Sequence, residues 1–412
     1  MTTTRRDFLQ LLGTAGIVSL GTIPPQFLAR AAHAAPGIAA RDKRVLVLIQ
    51  LAGGNDGLNT LVPFADPAYE KARPGIGIPK GQVLKLNDSV GLHPGLSGMR
   101  ELYDEGKLAI VQGVGYPNPD RSHFRSMDIW QSAQPLNETP RDGWLGRALE
   151  WQFDRQPALA EALSLGTDKL PLAFVSTRVN VPTLRRLEEF QLVDGQASAA
   201  NRNLTRAAQR HLADLPAANG SELDFLRRAT TTALTSAERL KSLSSSYRTT
   251  VSYPGTSLAN KLKLIAQMLT ADLPARIFVV SLDGFDTHSQ QLPGHAALMA
   301  ELSGAIRAFE QDLVEHKLSD RVLLATYSEF GRRVAENGSL GTDHGAASML
   351  FAVTPSGKSG LYGKYPNLTD LTDGDLKFNV DFRSIYATML DKWLEIPSAG
   401  ILGGDFSPIP IV

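Results

Sequence analysis

The chain has 412 residues, of which 43% are hydrophobic and 20% charged, which is enough for one large globular domain or two smaller ones. Its 42 basic residues balance its 42 acidic residues, so no overall field favours nucleic acid or an anionic membrane surface. Cysteine is absent from the sequence, which excludes disulfides, thiolate ligands and a cysteine nucleophile.

The first 34 residues are predicted to be an export signal rather than part of the fold. Arg5-Arg6 forms a twin-arginine motif, an apolar stretch runs from Leu11 to Leu28, and Ala32-His33-Ala34 fits a small-x-small cleavage site. Glycines and Pro24-Pro25 interrupt the apolar stretch, so a stable membrane-spanning helix is not expected. These features predict delivery to the periplasm or the exterior by the twin-arginine export machinery. The mature protein would then be a single domain over residues 35–412.

Apolar runs alternate with amphipathic segments along this domain. Strands are predicted at 44–51, 107–112, 170–175, 277–282, 321–327 and 347–353. Helices are predicted at 96–105, 125–131, 257–270, 298–313 and 381–394. The region from about 198 to 250, rich in Ala, Arg, Leu and Ser, is predicted to be a helical insertion. The alternation favours an α/β fold, a three-layer sandwich with a mostly parallel central sheet.

Three of the predicted strands end in loops that carry hard oxygen or imidazole groups. Asn55 and Asp56 follow the first strand, the segment 283–288 follows another, and Glu329 follows a third, with Asp343-His344 further along. Because ligands collect at the carboxyl ends of strands in open α/β sheets, we expect these groups to meet at one edge. Carboxylates and imidazoles bind divalent cations, so the sequence predicts a metal site there.

Two motifs leave alternatives open. The loop at 53–57 contains glycines that let the backbone approach another group, but it lacks the signatures of nucleotide-binding loops and is also consistent with a simple turn. Ser122 either caps the helix that follows or presents its hydroxyl at a helix N-terminus, where an oxyanion or phosphate is favoured.

The order of these motifs resembles the alkaline phosphatase and sulfatase superfamily. More narrowly, the chain resembles the exported family numbered 1501 among domains of unknown function. The segments that carry the resemblance are Leu51-Ala-Gly-Gly-Asn-Asp-Gly-Leu-Asn59, Arg121-Ser-His-Phe124, Gly284-Phe-Asp-Thr-His288, Ser328-Glu-Phe-Gly-Arg332 and Asp343-His-Gly345. The resemblance implies an alkaline-phosphatase-like fold and a site for one or two divalent ions.

The resemblance also implies roles for individual residues. Ser122 would be the nucleophile, with Arg121 and His123 beside it in the catalytic set. The implied metal site comprises Asp56, Asn55, Asp283, Asp286, His288, Glu329, Asp343 and His344, with Asp283 in a supporting position. Carboxylates and imidazoles without thiolate suit Zn, Mn, Mg or Ca about equally.

The chain departs from the superfamily pattern at several positions. Glu329-Phe330 stands where Asp-His is common, so one imidazole is missing, and Asp286-Thr287-His288 replaces a longer Asp-x-x-x-His spacing. The residues around Ser122 lack the sulfatase signature, which argues against formylglycine chemistry.

The leading hypothesis is an exported metal-dependent hydrolase that acts on small-molecule esters of phosphate or sulfate. A metal-activated hydroxyl or water would attack in line, and Arg121 would help to offset the charge of the transition state. The alternative is a non-catalytic secreted binding or assembly protein with a structural ion site, which the missing imidazole favours. The sequence does not indicate a protein partner.

Overall fold

The computed structural model describes residues 44–134, 140–155, 162–166, 169–179, 181, 183–184, 247–273, 275–355 and 357–412. The predicted export signal at 1–34 lies outside these ranges, as do residues 198–246 of the predicted helical insertion. Residues 247–250 are described and have no regular secondary structure. The export signal and the helical insertion therefore stay predictions.

The described ranges contain the following strands: β1 Val45–Ala52, β2 Leu61–Val62, β3 Leu84–Lys85, β4 Gly91–Leu92, β5 Leu108–Gly115, β6 Ala162–Leu165, β7 Thr183–Leu184, β8 Ile277–Asp283, β9 Val322–Tyr327, β10 Ser348–Val353, β11 Gly360–Tyr362, β12 Leu371–Thr372, β13 Asp375–Leu376 and β14 Val380–Asp381. Their α-helices are α1 Gly57–Thr60, α2 Pro67–Ala72, α3 Ser97–Asp104, α4 His123–Ser132, α5 Trp144–Arg155, α6 Ser257–Thr270, α7 Gln291–Glu315, α8 Phe382–Ala387 and α9 Ser398–Leu402.

Two predicted elements differ in type from the structure. A 3₁₀ helix at Leu172–Phe174 takes the place of the strand predicted at 170–175. Pro171 precedes it and has no N–H to donate to a strand ladder, which disfavours a central strand here. The helix predicted at 381–394 is α8 followed directly by a π-helix at Thr388–Leu394.

The main sheet is mostly parallel, as predicted. Among the described strands its order is β11-β5-β10-β9-β1-β8-β6-β7, and β14 pairs with β5. β1 is parallel to both β8 and β9, whereas β10 runs antiparallel to β9 and β5. The carboxyl ends of β1, β5, β8 and β9 therefore share one edge with the start of β10. The segments after β1, β5 and β8 and the connection from β9 to β10 meet at this edge, which we call the site edge.

Helices cover both faces of the sheet and complete the predicted three layers. The side chains of β1 alternate between the faces: Val47 and Ile49 belong to one apolar cluster, and Leu46 and Leu48 to the other. Residues of α3, α6 and α7 fill the first cluster, and residues of α4, α5 and α8 fill the second. Each fully buried aliphatic side chain contributes roughly 1.5–3 kcal/mol, so the central strands form a rigid base for the site edge.

A third, smaller apolar cluster supports the loops at the site edge, with Leu58, Val62 and Tyr69 packed against Val334 and Ala347. It joins the α1–α2 segment to the loops on either side of His344. The loops are therefore packed rather than free in solvent. In the part of the chain that the structure describes, no helix combines the length and apolar character needed to cross a membrane.

Candidate metal centre

Three imidazoles and one carboxylate converge at the site edge. Asp286 Oδ1 lies 3.5 Å from His123 Nε2 and 3.1 Å from His288 Nε2. The same oxygen is 3.2 Å from His344 Nε2, and the Nε2 atoms of His288 and His344 are 2.9 Å apart. We call these four residues the His–Asp cluster. Ligand atoms of His123, Asp286 and His344 all lie within 4.8 Å of one another, a spacing suited to a metal ion, and His288 contacts Asp286 and His344 beside them.

The cluster is assembled from three connections. Asp286 and His288 follow β8, His344 precedes β10, and His123 is the first residue of α4, which follows β5. Since these elements reach the same edge of the sheet, residues more than 200 positions apart are brought together by topology. The expectation that the post-strand loops meet is confirmed for these four residues.

Two of the imidazoles, those of His123 and His344, have a hydrogen-bond partner at the other ring nitrogen. His123 Nδ1 is 2.9 Å from Glu329 Oε1, and His344 Nδ1 is 2.7 Å from the carbonyl oxygen of Arg121. A carbonyl can only accept, so Nδ1 of His344 carries the proton and its Nε2 presents a lone pair to the cluster. His288 Nδ1 lies 3.6 Å from Asp343 Oδ1. This is the arrangement by which proteins hold imidazole ligands of a metal.

Glu329, a predicted ligand, contacts the Nδ1 side of His123, whereas Asp286 faces its Nε2 atom. Its side chain is almost completely buried, and Oε1 accepts a 2.8 Å hydrogen bond from the backbone N–H of Gly53 while facing His123. Oε2 accepts a hydrogen bond from the Ser328 hydroxyl. Asp343, also a predicted ligand, lies on the Nδ1 side of His288.

Arg332 joins the loops that carry the cluster. Its guanidinium is buried and donates to the carbonyl oxygens of Gly53 and Gly54, of Phe285, and of Thr342. It also donates a 2.8 Å hydrogen bond to Asp286 Oδ1. A single cation thus ties the segments after β1 and β8 to the segment before β10, and it neutralises the carboxylate at the centre of the cluster.

Glycines permit this close approach of loops. Gly53 has φ +122°, and a Cβ placed on it would lie 2.3 Å from the backbone nitrogen of Asp286. A Cβ on Gly341 would lie 2.2 Å from the carbonyl carbon of His288. Any other residue would push the Asp286–His288 loop away. The backbone approach expected for the loop at 53–57 is therefore present, and the partner is the loop that carries the cluster.

The charges in the cluster suit metal binding. Burial by itself would raise the pKa of the Asp286 carboxyl, but the hydrogen bond and the charge of Arg332, together with the adjacent imidazoles, outweigh burial and lower that pKa to about 2. Burial lowers the pKa of the His344 imidazole. Near neutral pH the carboxyl is ionised and this imidazole is neutral, the forms in which both bind a metal.

Asp56, predicted as a ligand, has its carboxylate engaged elsewhere. Oδ1 accepts from the backbone N–H groups of Leu58 and Asn59 and so caps α1. Oδ2 accepts from Arg73 at 2.6 Å and from Gln291 at 2.5 Å. Burial raises the pKa of Asp56, but the charge and hydrogen bond of Arg73 outweigh it and the net shift is downward. We therefore leave Asp56 out of the proposed ligand set.

Two further predicted ligands have partners outside the cluster. Asn55 is buried, and its Oδ1 faces the Thr60 hydroxyl and His295 Nε2. Asp283 is exposed at the end of β8, and its Oδ1 accepts a hydrogen bond from Ser281. Neither side chain contacts a cluster residue.

Ser122 and Arg121 adjoin the cluster through His123. Ser122 is exposed and occupies the N-cap position of α4, but its side chain makes no capping hydrogen bond. The capping interpretation is therefore wrong for the hydroxyl, which stands beside His123. The Arg121 guanidinium donates to Asp375 Oδ2 at 2.8 Å and 2.6 Å, while its carbonyl orients His344.

Residues 42–394 match the family described as "Protein of unknown function (DUF1501)". The chain belongs to the DUF1501 family. The match includes all of the His–Asp cluster, and it confirms the narrower resemblance drawn from the sequence. No curated protein matches this DUF1501 chain.

The comparison with solved structures found several to which the chain is similar at low identity. Ps i-CgsB in complex with k-i-k-neocarrahexaose is 10% identical, with a TM-score of 0.38 over 88% of this chain and 73% of its own. PsFucS1 sulfatase from Pseudoalteromonas sp. is 12% identical, with a TM-score of 0.36 over 96% and 78%. The alkaline phosphatase from the Antarctic bacterium TAB5 is 12% identical, with a TM-score of 0.31 over 77% and 94%. At these values the similarities carry no argument about the DUF1501 chain's activity.

The sequence reasoning missed two buried arginines of this DUF1501 protein. Arg332 ends the motif Ser328-Glu-Phe-Gly-Arg332, but most of its partners are backbone carbonyl oxygens. Contacts with the backbone leave no pattern in the sequence of the partner residues. Arg73 pairs with Asp56 from α2, a segment in which the sequence showed only loop signals. His123 was expected in the catalytic set, whereas its Nε2 faces the other imidazoles.

Proposed function

We propose that this protein is a metal-dependent hydrolase of phosphate or sulfate esters. The observation that carries the proposal is the convergence of three imidazole Nε2 atoms, from His123, His288 and His344, on one carboxylate oxygen of Asp286. Water would be the co-reactant, and the products would be an alcohol and inorganic phosphate or sulfate.

The donor set fits a transition metal better than Mg²⁺ or Ca²⁺. Imidazole suits Zn²⁺ and its neighbours, whereas Mg²⁺ and Ca²⁺ prefer oxygen ligands only. Four ligands at about 2.1 Å from a tetrahedral ion lie roughly 3.4 Å from one another. The separations of 3.1, 3.2 and 3.5 Å from Asp286 Oδ1 are close to that value. The Nε2 atoms of His288 and His344, 2.9 Å apart, would separate by about 0.5 Å to reach it. We therefore favour zinc among the four metals that the sequence left open.

The surrounding residues have separate tasks. When bound, the ion would act as a Lewis acid and lower the pKa of a coordinated hydroxyl or water. Glu329 and Asp343 keep their imidazoles turned toward the site, and Arg332 holds Asp286 ionised. The exposed hydroxyl of Ser122 is free to attack, or to hydrogen-bond an attacking water.

An anionic ester is supported by the position of α4. His123 is the first residue of this ten-residue helix, so the helix N-terminus opens toward the cluster. Backbone N–H groups there, together with the helix dipole, favour bound anions. The Ser122 side chain makes no capping hydrogen bond at this end of the helix, where the non-bridging oxygens of a phosphate or sulfate group would be favoured.

The test is metal content and esterase activity of the purified mature protein. We expect about one zinc per chain and turnover of 4-nitrophenyl phosphate or 4-nitrophenyl sulfate, and we expect His288→Ala to lose most of both. His316→Ala is the matched control, since His316 contacts Asp312 at the far end of α7. Bound metal with no hydrolysis of either ester would contradict the hydrolase and favour the non-catalytic binding protein.

We also propose export by the twin-arginine route, on the basis of Arg5-Arg6 and the site after Ala34. Mature protein recovered outside the cytoplasm should begin near residue 35. Replacement of both arginines by lysine should abolish that processing, and unchanged processing would contradict this route.

A further inference from the structure

An open groove lies beside the His–Asp cluster and has no role in the mechanism above. Its volume is about 760 Å³, within the range of small-molecule sites. Among the described residues it is lined by two segments, 118–121 and 372–378, together with Ala346.

The groove is joined to the cluster by direct contacts. Arg121 lines the groove, and its carbonyl oxygen accepts the hydrogen bond that orients His344. Asp120 also lines it, and its Oδ1 accepts a 2.7 Å hydrogen bond from the backbone N–H of Ser122. The groove therefore lies next to the cluster, along the segment before His123 and the segment after His344.

The charges of the groove do not favour an anionic group. The two cations in its lining already have partners, since Arg121 pairs with the buried Asp375 and Lys377 pairs with Asp370. Asp120 and Asp373 add negative charge without a matching cation in the lining. A second phosphate or sulfate on the ligand would meet these carboxylates and be repelled.

A purely apolar group would match only part of the lining, in which polar side chains stand beside Pro119, Ala346, Leu376 and Phe378. Asn118, Thr372 and Asp373 would lose hydrogen bonds to solvent without replacement. A hydroxyl-rich ring would replace those hydrogen bonds. Phe378, 36% exposed, supplies one aromatic face against which the C–H side of such a ring can pack.

We propose that this groove binds a neutral, hydroxyl-rich leaving group, a sugar ring, of the ester. The inference rests on the proposed hydrolase for its place in the reaction, but binding in the groove does not require turnover. Phe378 and Asp373 are then specificity-determining residues that do not take part in the bond-breaking step.

The experiment uses the metal-loaded mature protein with glucose 6-phosphate and glucose 6-sulfate, compared with the 4-nitrophenyl esters. We expect Phe378→Ala and Asp373→Asn each to raise KM for the glucose esters about tenfold, a change of about 1.4 kcal/mol, with little change in kcat. Kinetics with the 4-nitrophenyl esters should stay within twofold of wild type. Asn is tolerated at position 373, where φ is +53°, so folding should be retained.

Val314→Ala is the control for removal of an exposed apolar side chain. Val314 lies 23 residues beyond the start of α7, about 35 Å along the helix from the end that contacts Asp56. It should behave as wild type with every ester. A Phe378→Ala effect of equal size on both ester types would overturn the sugar assignment.

A binding readout separates failure of this inference from failure of the hydrolase proposal. Saturation-transfer NMR with glucose, galactose and mannose should show contact with wild type that is lost in Phe378→Ala. If a sugar binds but no ester is hydrolysed, the groove proposal is supported and the hydrolase proposal is contradicted. If the 4-nitrophenyl esters are hydrolysed but none of the sugars binds, the groove proposal is contradicted and the hydrolase proposal is supported.

Discussion

At the residue scale, Glu329 is a buried carboxylate that would support the proposed metal site through His123. It faces His123 Nδ1 at 2.9 Å and holds the backbone of Gly53 at 2.8 Å. We expect Glu329→Gln to weaken zinc binding by 10- to 100-fold, because the imidazole loses its charged partner. Competition with a fluorescent zinc chelator measures this change.

Asp283→Asn is the matched control for that prediction. Asp283 was also expected at the metal site, but its carboxylate contacts Ser281 at the end of β8. Its zinc affinity should equal that of wild type. If the Asp283 variant lost zinc affinity while the Glu329 variant kept it, the assignment of Glu329 as a supporting carboxylate and Asp283 as a remote one would be contradicted.

At the scale of elements, α7 meets the segment after β4 through two buried histidines. His93 and His295 lie with ring centroids 5.6 Å apart, and burial lowers the pKa of each to about 4, an effect that the Asp56 charge offsets only in part. Between about pH 6.5 and pH 4 the unfolded chain binds more protons at these sites than the folded chain does, so stability falls as pH falls.

The expected loss is roughly 1.4 kcal/mol per pH unit for each imidazole within that window. Urea unfolding of metal-free protein between pH 7 and pH 5 should show it. His295→Gln keeps a donor for Asn55 and should reduce the slope of stability against pH. A slope unchanged from wild type would mean that burial of His295 does not control this dependence.

Several elements could be predicted from the pattern of apolar residues alone. The apolar runs at 44–51, 277–282 and 321–327 are strands because β-branched and aliphatic residues suit a sheet buried on both faces. Their parallel order made it possible to expect His288 and His344 at one edge. Pro171 prevents one of the predicted strands, because it has no N–H to donate to a neighbouring strand. The apolar character of the segment does not show where such a donor is needed.

At the scale of the whole molecule, the division between ligands and supporting residues could not be read from the sequence. Asp56 and Asp286 both follow central strands, yet one pairs with the distant Arg73 and the other faces three imidazoles. These contacts depend on how loops far apart in the chain pack at the site edge. The motifs thus predicted that these loops meet at one edge of the sheet, while the partners of each carboxylate required the structure.

The most direct test of the metal centre is anomalous diffraction at the zinc edge from crystals of the mature protein grown with one equivalent of zinc. We expect one strong peak about 2.0–2.2 Å from the Nε2 atoms of His123, His288 and His344 and from a carboxylate oxygen of Asp286. A peak at Asp56, or no peak within reach of these imidazoles, would contradict the account.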